Sequence, residues 1–421
     1  MFSAAYCREI QGYFEDRMTL LQDRGIQLRE TGGMLPGEGS TGKPFAGRTA
    51  SEALERPLTG KAPLDKTVPG NGRELYAWEV ALLGQKLEEI RETLGQCTQE
   101  EREALWFLYS ASPLSDMLDY PAALFLAYAR HGVFLWNQGP YAGKVQEKLF
   151  ANYVLHHRVH NEDVADTRRF FYDMLYQRTA GKDMYDAVLE ANCWCGEQVT
   201  YQSTYLRTQN PLTMYGTGAG RCGEGAPFAV TALRSIGIPA RDVYAPWWAH
   251  CDDNHAWIEA WCDGKWYFTG GGEPEERLDE GWFVGPCSRA MLISSRWFGK
   301  DTPLEPVVGH GDLSVGLNHL DRYAPTTTLT VKVEDGQGRA VPGARVEFCL
   351  PNYGRINAMA TRMTGADPGE EDYGMARLDT GYGSLLVCAS WEDCYGEVLV
   401  DLSEAGEGMT CCVVLGKSLP C

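Results

Sequence analysis

Clustered positive charge is what this chain most conspicuously lacks. Its 38 Lys and Arg are outnumbered by 57 Asp and Glu, a formal net charge of −19. No Lys/Arg-rich run offers the phosphate contacts that nucleic-acid or anionic-membrane binding requires, so neither partner is expected. Residues Met1 to Glu9 hold no basic stretch followed by an apolar core, and no segment elsewhere is long and apolar enough to span a bilayer. A cytoplasmic location is the expectation. Cys-x-x-Cys is also absent although the chain has 14 cysteines, and neither Cys193-Trp194-Cys195 nor Cys411-Cys412 is a metal-ligand pair. The even count leaves a disulfide framework open, but most of these residues read as core or surface thiols.

Histidine is sparse, with 8 in all, and three of them, His156, His157 and His160, lie close together. The spacing of His156 and His160 puts two imidazoles on one helix face, yet no third ligand accompanies them at zinc spacing, so they read as structural or solvent-facing. His250 and His255 with Asp252 or Asp253 form a second conceivable metal set. The expectation is nevertheless no metal and no cofactor.

At 421 residues the chain is long enough for two or three domains. Residues 1–140 read as a helical region interrupted at about 30–73 by a Gly/Pro-rich arm poor in periodic apolar residues. Apolar periodicity predicts helices over 1–27 and 74–94. Thr98-Gln99-Glu100-Glu101 is a helix start with an N-cap threonine and an acidic first turn. Tyr120-Pro121 opens another helical run, and helical character is predicted to continue over 148–175. Residues 141–324 form the second unit. From about Pro325 the texture changes to alternating strands with Gly-rich turns, such as Thr328 to Gly336 and Val341 to Phe348, which predict an all-β module over 325–421.

The residues that carry chemistry lie in the middle unit. Cys222 follows the small, flexible run Gly216-Thr217-Gly218-Ala219-Gly220 and precedes a predicted apolar helix, Ala226 to Ile236, that ends at Gly237-Ile238-Pro239. A cysteine at a helix N-terminus faces unpaired N–H groups that favour the thiolate. His255 opens the alternating stretch His255, Trp257, Glu259, Trp261, which turns through Asp263-Gly264 into Lys265-Trp266-Tyr267-Phe268, a hairpin. A helix-borne thiol facing a strand-borne imidazole lets the imidazole take the thiol proton and later give one to a leaving amine. Without that context, Cys222 is a small buried hydrophobe.

Four blocks then occur in order: Gly220-Arg221-Cys222-Gly223-Glu224, Arg234-Ser235-Ile236-Gly237-Ile238-Pro239-Ala240-Arg241, Trp248 to Trp257, and Gly264-Lys265-Trp266-Tyr267-Phe268. Together they resemble the core of the transglutaminase-like superfamily, which includes transglutaminases, peptide N-glycanases and bacterial cysteine proteases. The helical residues upstream resemble bacterial members, and the tail resembles a prealbumin-like or carboxypeptidase-regulatory-like β-sandwich. The resemblance implies an α+β fold: a helical N-terminal region, a papain-like transglutaminase core and a C-terminal all-β sandwich. It implies Cys222 as nucleophile and His255 as general base and acid, acting on a peptide or protein substrate at peptide or isopeptide-type amides through a Cys thioester, by hydrolysis or acyl transfer.

The chain departs from the superfamily at the third residue. Where an aspartate commonly follows the second hairpin strand, Gly270 stands, and Glu273 is the nearest carboxylate that could orient His255. Asp252 and Asp253 compete for that role. The N–H of Cys222 is the first oxyanion donor, with a second conceivable from Asn192-Cys193-Trp194. Trp247, Trp248, Trp257 and Trp261 could wall a groove, although core packing explains most such aromatics. A catalytically silent scaffold on the same fold is the alternative.

Overall fold

The computed structural model describes residues 1–30, 77–204, 208–300, 302–303, 305–311 and 314–418. The Gly/Pro-rich arm expected at about 30–73 lies outside them, apart from its first residue. Helix α1 (Ala4–Glu30) buries Tyr6, Ile10, Phe14, Met18 and Leu21, residues three or four apart that form one face. Its Arg17 donates to the carbonyls of Tyr109 and Ser112, both at 2.5 Å. These carbonyls lie at the C-terminal end of α3 (Gln99–Ala111), which follows α2 (Ala77–Gly95). Thr98 caps α3 as its sequence predicts: its hydroxyl accepts from the Glu101 N–H and the Glu101 carboxylate accepts from the Thr98 N–H.

Helices α4 (Leu114–Asp119), α5 (Ala122–Gln138) and the short α6 (Glu147–Phe150) follow. The helical run predicted over 148–175 breaks after a π-turn at Ala151–Leu155 and resumes only at α7 (Arg168–Thr179). Buried charge is the reason. Arg158 gives Asp116 two bonds, at 2.7 and 2.6 Å, and donates to the Glu162 carbonyl, while the Glu162 carboxylate accepts from the Val159 and His160 N–H groups. These bonds fold the segment into a turn, so His156 and His160 do not share a helix face. His156 stacks between His157 and Phe298, and among the described residues no group of three or more His, Cys, Asp or Glu is arranged to hold a metal ion.

Next come α8 (Met184–Gln198), α9 (Pro211–Thr217) between the parallel bridge strands β1 (Thr200–Tyr201) and β2 (Ala219–Gly220), and α10 (Cys222–Ser235). Helix α10 lies across a six-stranded antiparallel sheet of order β5-β4-β3-β6-β8-β7. The strands are β3 (Ala240–Ala245), β4 (His255–Cys262), β5 (Lys265–Thr269), β6 (Ser294–Trp297), β7 (Val307–His310) and β8 (Val315–Asn318), with α11 (Val284–Cys287) between β5 and β6. One hydrophobic cluster runs from Phe2 of the N-terminal helices through Phe228 of α10 to Ile258 and Ala260 of β4, so the helical region and the core share a single interior. Among the described residues no helix is long and apolar enough to cross a membrane.

The C-terminal part is all β. Strands β9 (Thr327–Glu334), β12 (Met375–Thr380) and β15 (Gly408–Val414) form one sheet, and β10 (Arg345–Asn352), β11 (Arg355–Met363), β13 (Ser384–Trp391), β14 (Cys394–Asp401) and β16 (Lys417–Ser418) form the other. Alternation along β9 sends Leu329, Val331 and Val333 into the apolar filling between the sheets, which also takes Met291 and Leu292 from the core.

Buried histidines make this fold acid-sensitive. Burial holds His131 and His255 down to about 4 and His160 to about 3, against an ordinary value of 6.5. Between pH 6.5 and 4 the unfolded chain therefore binds more protons than the folded one, and stability falls as pH drops. Each neutral histidine contributes on the order of 1.4 kcal/mol per pH unit. Asp242, pushed up to about 7 by burial, acts with opposite sign between about 4 and 7 and offsets one of them. Urea midpoints measured from pH 7.5 down to 4.5 are expected to fall steadily; a flat profile contradicts the burial of these rings.

Candidate active site

The cysteine is presented by a strand-to-helix transition. Tyr201 of β1 pairs with Gly220 of β2, Arg221 is the N-cap residue, and Cys222 opens the 14-residue α10. A buried carboxylate, Glu224, secures this corner. Its Oε2 accepts from the Arg221 N–H at 3.0 Å and the Thr204 hydroxyl at 2.7 Å, and its Oε1 accepts from the Gln209 N–H at 3.0 Å. Glu224 stands three residues after the N-cap, the capping-box position, and could have been found by that spacing. The first turn of α10 also meets the glycine turn after β5: a Cβ on Gly271 would lie 2.9 Å from the Ala226 nitrogen.

Cys222 is half-buried, and the backbone N–H groups of Ala256 and Gly223 are near enough to stabilise its thiolate against burial. Because Ala256 follows His255 directly, the thiol sits at the start of β4. Burial pushes the thiol up, the two N–H groups and Arg221 act against that shift, and Asp253 adds to it. The net direction is upward, opposite to the thiolate preference expected of a helix N-terminus, because desolvation outweighs the N–H groups at this depth.

Alternation along β4 places His255, Trp257 and Glu259 on one face and Ala256, Ile258 and Ala260 on the face under α10. The His255 ring packs on Trp257 (5.8 Å between centroids), Phe283 (5.1 Å) and Trp282 (4.5 Å). Its Nε2 is buried without a hydrogen-bond partner among the described residues, and burial, opposed by the charge of Asp253, holds its pKa down to about 4. Burial thus favours the neutral form of each group, thiol and imidazole.

Glu273 occupies the space left by Gly270. A Cβ at position 270 would lie 2.5 Å from Glu273 Oε2 and 2.7 Å from Glu273 Cβ, so the carboxylate fills the volume where any side chain at 270 would begin. That carboxylate accepts from the Trp282 indole N–H at 3.0 Å; no hydrogen bond joins it to His255 among the described residues. Burial raises the Glu273 pKa, and the indole bond opposes the rise. Asp252 accepts from the Tyr353 N–H and Asp253 from the Asn254 N–H, both at 2.8 Å, so both side chains brace the loop. Asn192 pins the 269–273 turn: its amide donates to Thr269 Oγ1 and the Glu273 carbonyl and accepts from the Gly272 N–H.

Of the tryptophans read from sequence, Trp248 and Trp257 are core residues, Trp247 packs on the sandwich and Trp261 on the main core. The aromatic that reaches the site from the surface is Trp282, 60% exposed, which no strand or helix pattern marks.

The β-sandwich also touches the site. Asn352, at the tip of the β10–β11 hairpin and only 1% exposed, donates its amide to the carbonyls of Trp248, Cys251 and Asp253 at 3.1, 2.9 and 3.3 Å. One side chain from the C-terminal part thus gathers the loop that delivers His255. Asn352→Ala leaves these buried carbonyls short of a donor and is expected to cost about 1–3 kcal/mol. Limited proteolysis should then cut within 246–254, and unchanged cleavage would show that the loop holds itself.

Cys222 opens α10 and His255 opens β4 of an α+β core. Residues 174–269 match the family model of the transglutaminase-like superfamily. No curated protein matches the chain significantly. Similar solved structures include a candidate cysteine protease from Cytophaga hutchinsonii, at 19% identity over 36% of this chain and 57% of that one, TM-score 0.23. Red sea bream transglutaminase matches at 12% identity over 56% of this chain and 58% of that one, TM-score 0.24. The major pilin subunit of Bacillus cereus matches at 11% identity over 30% and 37%, TM-score 0.17. The chain thus spans less than two thirds of each of these proteins.

Proposed function

We propose that the chain is a cysteine-dependent amide hydrolase or acyl transferase acting on peptide or isopeptide-type bonds. The observation that carries this reading is the placement of Cys222 at the start of α10 and of His255 at the start of β4, with the backbone N–H of the next residue, Ala256, near enough to stabilise the thiolate. Cys222 transfers its proton to His255 and attacks the amide carbonyl. The Cys222 N–H, at the first helical position without an intrahelical acceptor, meets the developing oxyanion. Collapse breaks the C–N bond, His255 protonates the departing amine, and a thioester remains. Water or a second amine, deprotonated by His255, then releases the acyl group and restores the thiol. Glu273 is the carboxylate that would orient the imidazole once it leaves the Trp282 indole. The described cysteines are free thiols, which suits a cytoplasmic, reducing setting.

The test is peptide-resolved alkylation near neutral pH. Cys222 should react faster than the exposed Cys193 and Cys394, and a peptide library should then yield cleavage or amine incorporation that is lost once Cys222 is blocked. Alkylation no faster than at the surface thiols overturns the reading. A catalytically silent scaffold is the second reading, favoured by the neutral thiol–imidazole pair and by a Glu273 carboxylate engaged with Trp282. Cys222 that remains unreactive across pH 6–9 in folded protein would support it.

A further inference from the structure

We propose that Trp282 is a positioning residue that holds Glu273 away from His255, and that outward rotation of its indole lets the carboxylate bond to His255 Nε2. This rests on the reading of Cys222 and His255 as a catalytic pair. Four features of the structure meet at this point. The indole N–H holds Glu273 Oε2 at 3.0 Å, and the same indole lies on the imidazole with ring centroids 4.5 Å apart. His255 Nε2 is buried with no partner among the described residues. Gly270 leaves open the volume that Glu273 occupies, so its carboxylate has room beside the hairpin.

The exchange is favourable in kind. Trp282 is 60% exposed, so once it turns outward water satisfies its N–H, whereas Nε2 has no access to water where it lies. Moving the carboxylate from the indole to the imidazole thus replaces one orphaned buried nitrogen with a charge-assisted bond. The neighbouring Phe283 is fully buried and anchors the segment, so the motion is confined to the Trp282 side chain. A substrate segment entering over Cys222 would displace this aromatic cover, coupling occupancy of the site to activation of the base. The charged group that acts on the ring is Asp253 on its own loop, Glu273 reaches it through the Trp282 indole, and Trp257 and Phe283 add no charge.

The measurements are the His255 titration by NMR and the pH dependence of Cys222 alkylation, on the full chain. In Trp282→Phe the ring remains but the N–H is gone. The His255 midpoint should rise by about one unit, and Cys222 alkylation at pH 7 should quicken by up to about tenfold. Adding Glu273→Gln should return both to wild-type values. An unchanged midpoint in Trp282→Phe, or a rise that survives Glu273→Gln, overturns the proposal. If His255→Ala leaves wild-type alkylation unaltered, the catalytic reading falls and this one with it. If His255→Ala slows alkylation while Trp282→Phe changes nothing, only the role of Trp282 fails. Circular dichroism of each variant verifies folding, which substitution of an exposed side chain should not disturb.

Discussion

Cys222→Ala is expected to abolish turnover of any amide the protein cleaves, by roughly 10⁴- to 10⁶-fold in kcat, while leaving folding intact. The size follows from the chemistry: without the sulfur there is no thioester, and only the binding surface and oxyanion donors remain to act on the substrate. Stability should change little, because Cys222 is half-buried and alanine is a small, good helix former at the first position of α10. His255→Ala should fall nearly as far, and the double variant no further, since the two side chains act in one proton transfer. The measurement is single-turnover cleavage of a peptide found in a library screen, with acyl-enzyme trapping by mass spectrometry. Retention of more than about a tenth of the rate in Cys222→Ala would remove the thiol from the mechanism.

The largest effect on stability is expected from Glu259→Ala. Glu259 is fully buried on β4, and its Oε2 accepts from Arg241 Nε at 2.8 Å, Arg241 Nη2 at 2.7 Å and Arg322 Nη1 at 3.0 Å. Its Oε1 accepts from the Tyr323 hydroxyl at 2.6 Å, and Tyr323 in turn accepts from the Trp257 indole N–H at 3.0 Å. Arg241, 2% exposed and stacked 4.2 Å over Trp266, would then keep the Tyr153 hydroxyl and His319 Nδ1 but, among the described residues, only one carboxylate, Glu305, itself at the edge of the cluster. Breaking a buried pair from one side costs about 3–5 kcal/mol, because the remaining charge stays desolvated. The double substitution Arg241→Met with Glu259→Leu should recover much of that loss. Urea unfolding of the three variants tests this; a loss below about 1 kcal/mol for Glu259→Ala would mean that water reaches the cluster. Trp257 is the floor under His255, so the same variant should also loosen the imidazole.

Local pattern carried much of the architecture. Thr98 and Glu101 form the reciprocal cap their spacing predicts, and Asp263 and Gly264 take the left-handed conformations, φ 46° and 110°, that a two-residue hairpin turn needs. The alternation that predicted a strand from His255 onward is the alternation that sorts β4 between two cores. Where pattern failed, distant groups had intervened. The run over 148–175 is apolar enough for a helix, but Arg158 is captured by Asp116, 42 residues earlier in the chain. Nothing near Trp282 or Asn352 signals a role in the site, because each acts through a partner that only folding brings near: Glu273 for one, the carbonyls about a hundred residues earlier for the other.

The order of residues by itself determined that a cysteine would open a helix and a histidine would open a strand. Both depend on capping, glycine placement and alternation, interactions that reach only a few residues along the chain. It also determined that the usual aspartate position would be glycine. Only the tertiary structure decided the state of the pair. Burial depth raises the thiol and lowers the imidazole against what their local surroundings would give. The close approach of a turn, a surface tryptophan and a hairpin from the C-terminal sandwich decides which groups surround His255. Desolvation and long-range contact are properties of the packed whole, which is why no local window of sequence could state them.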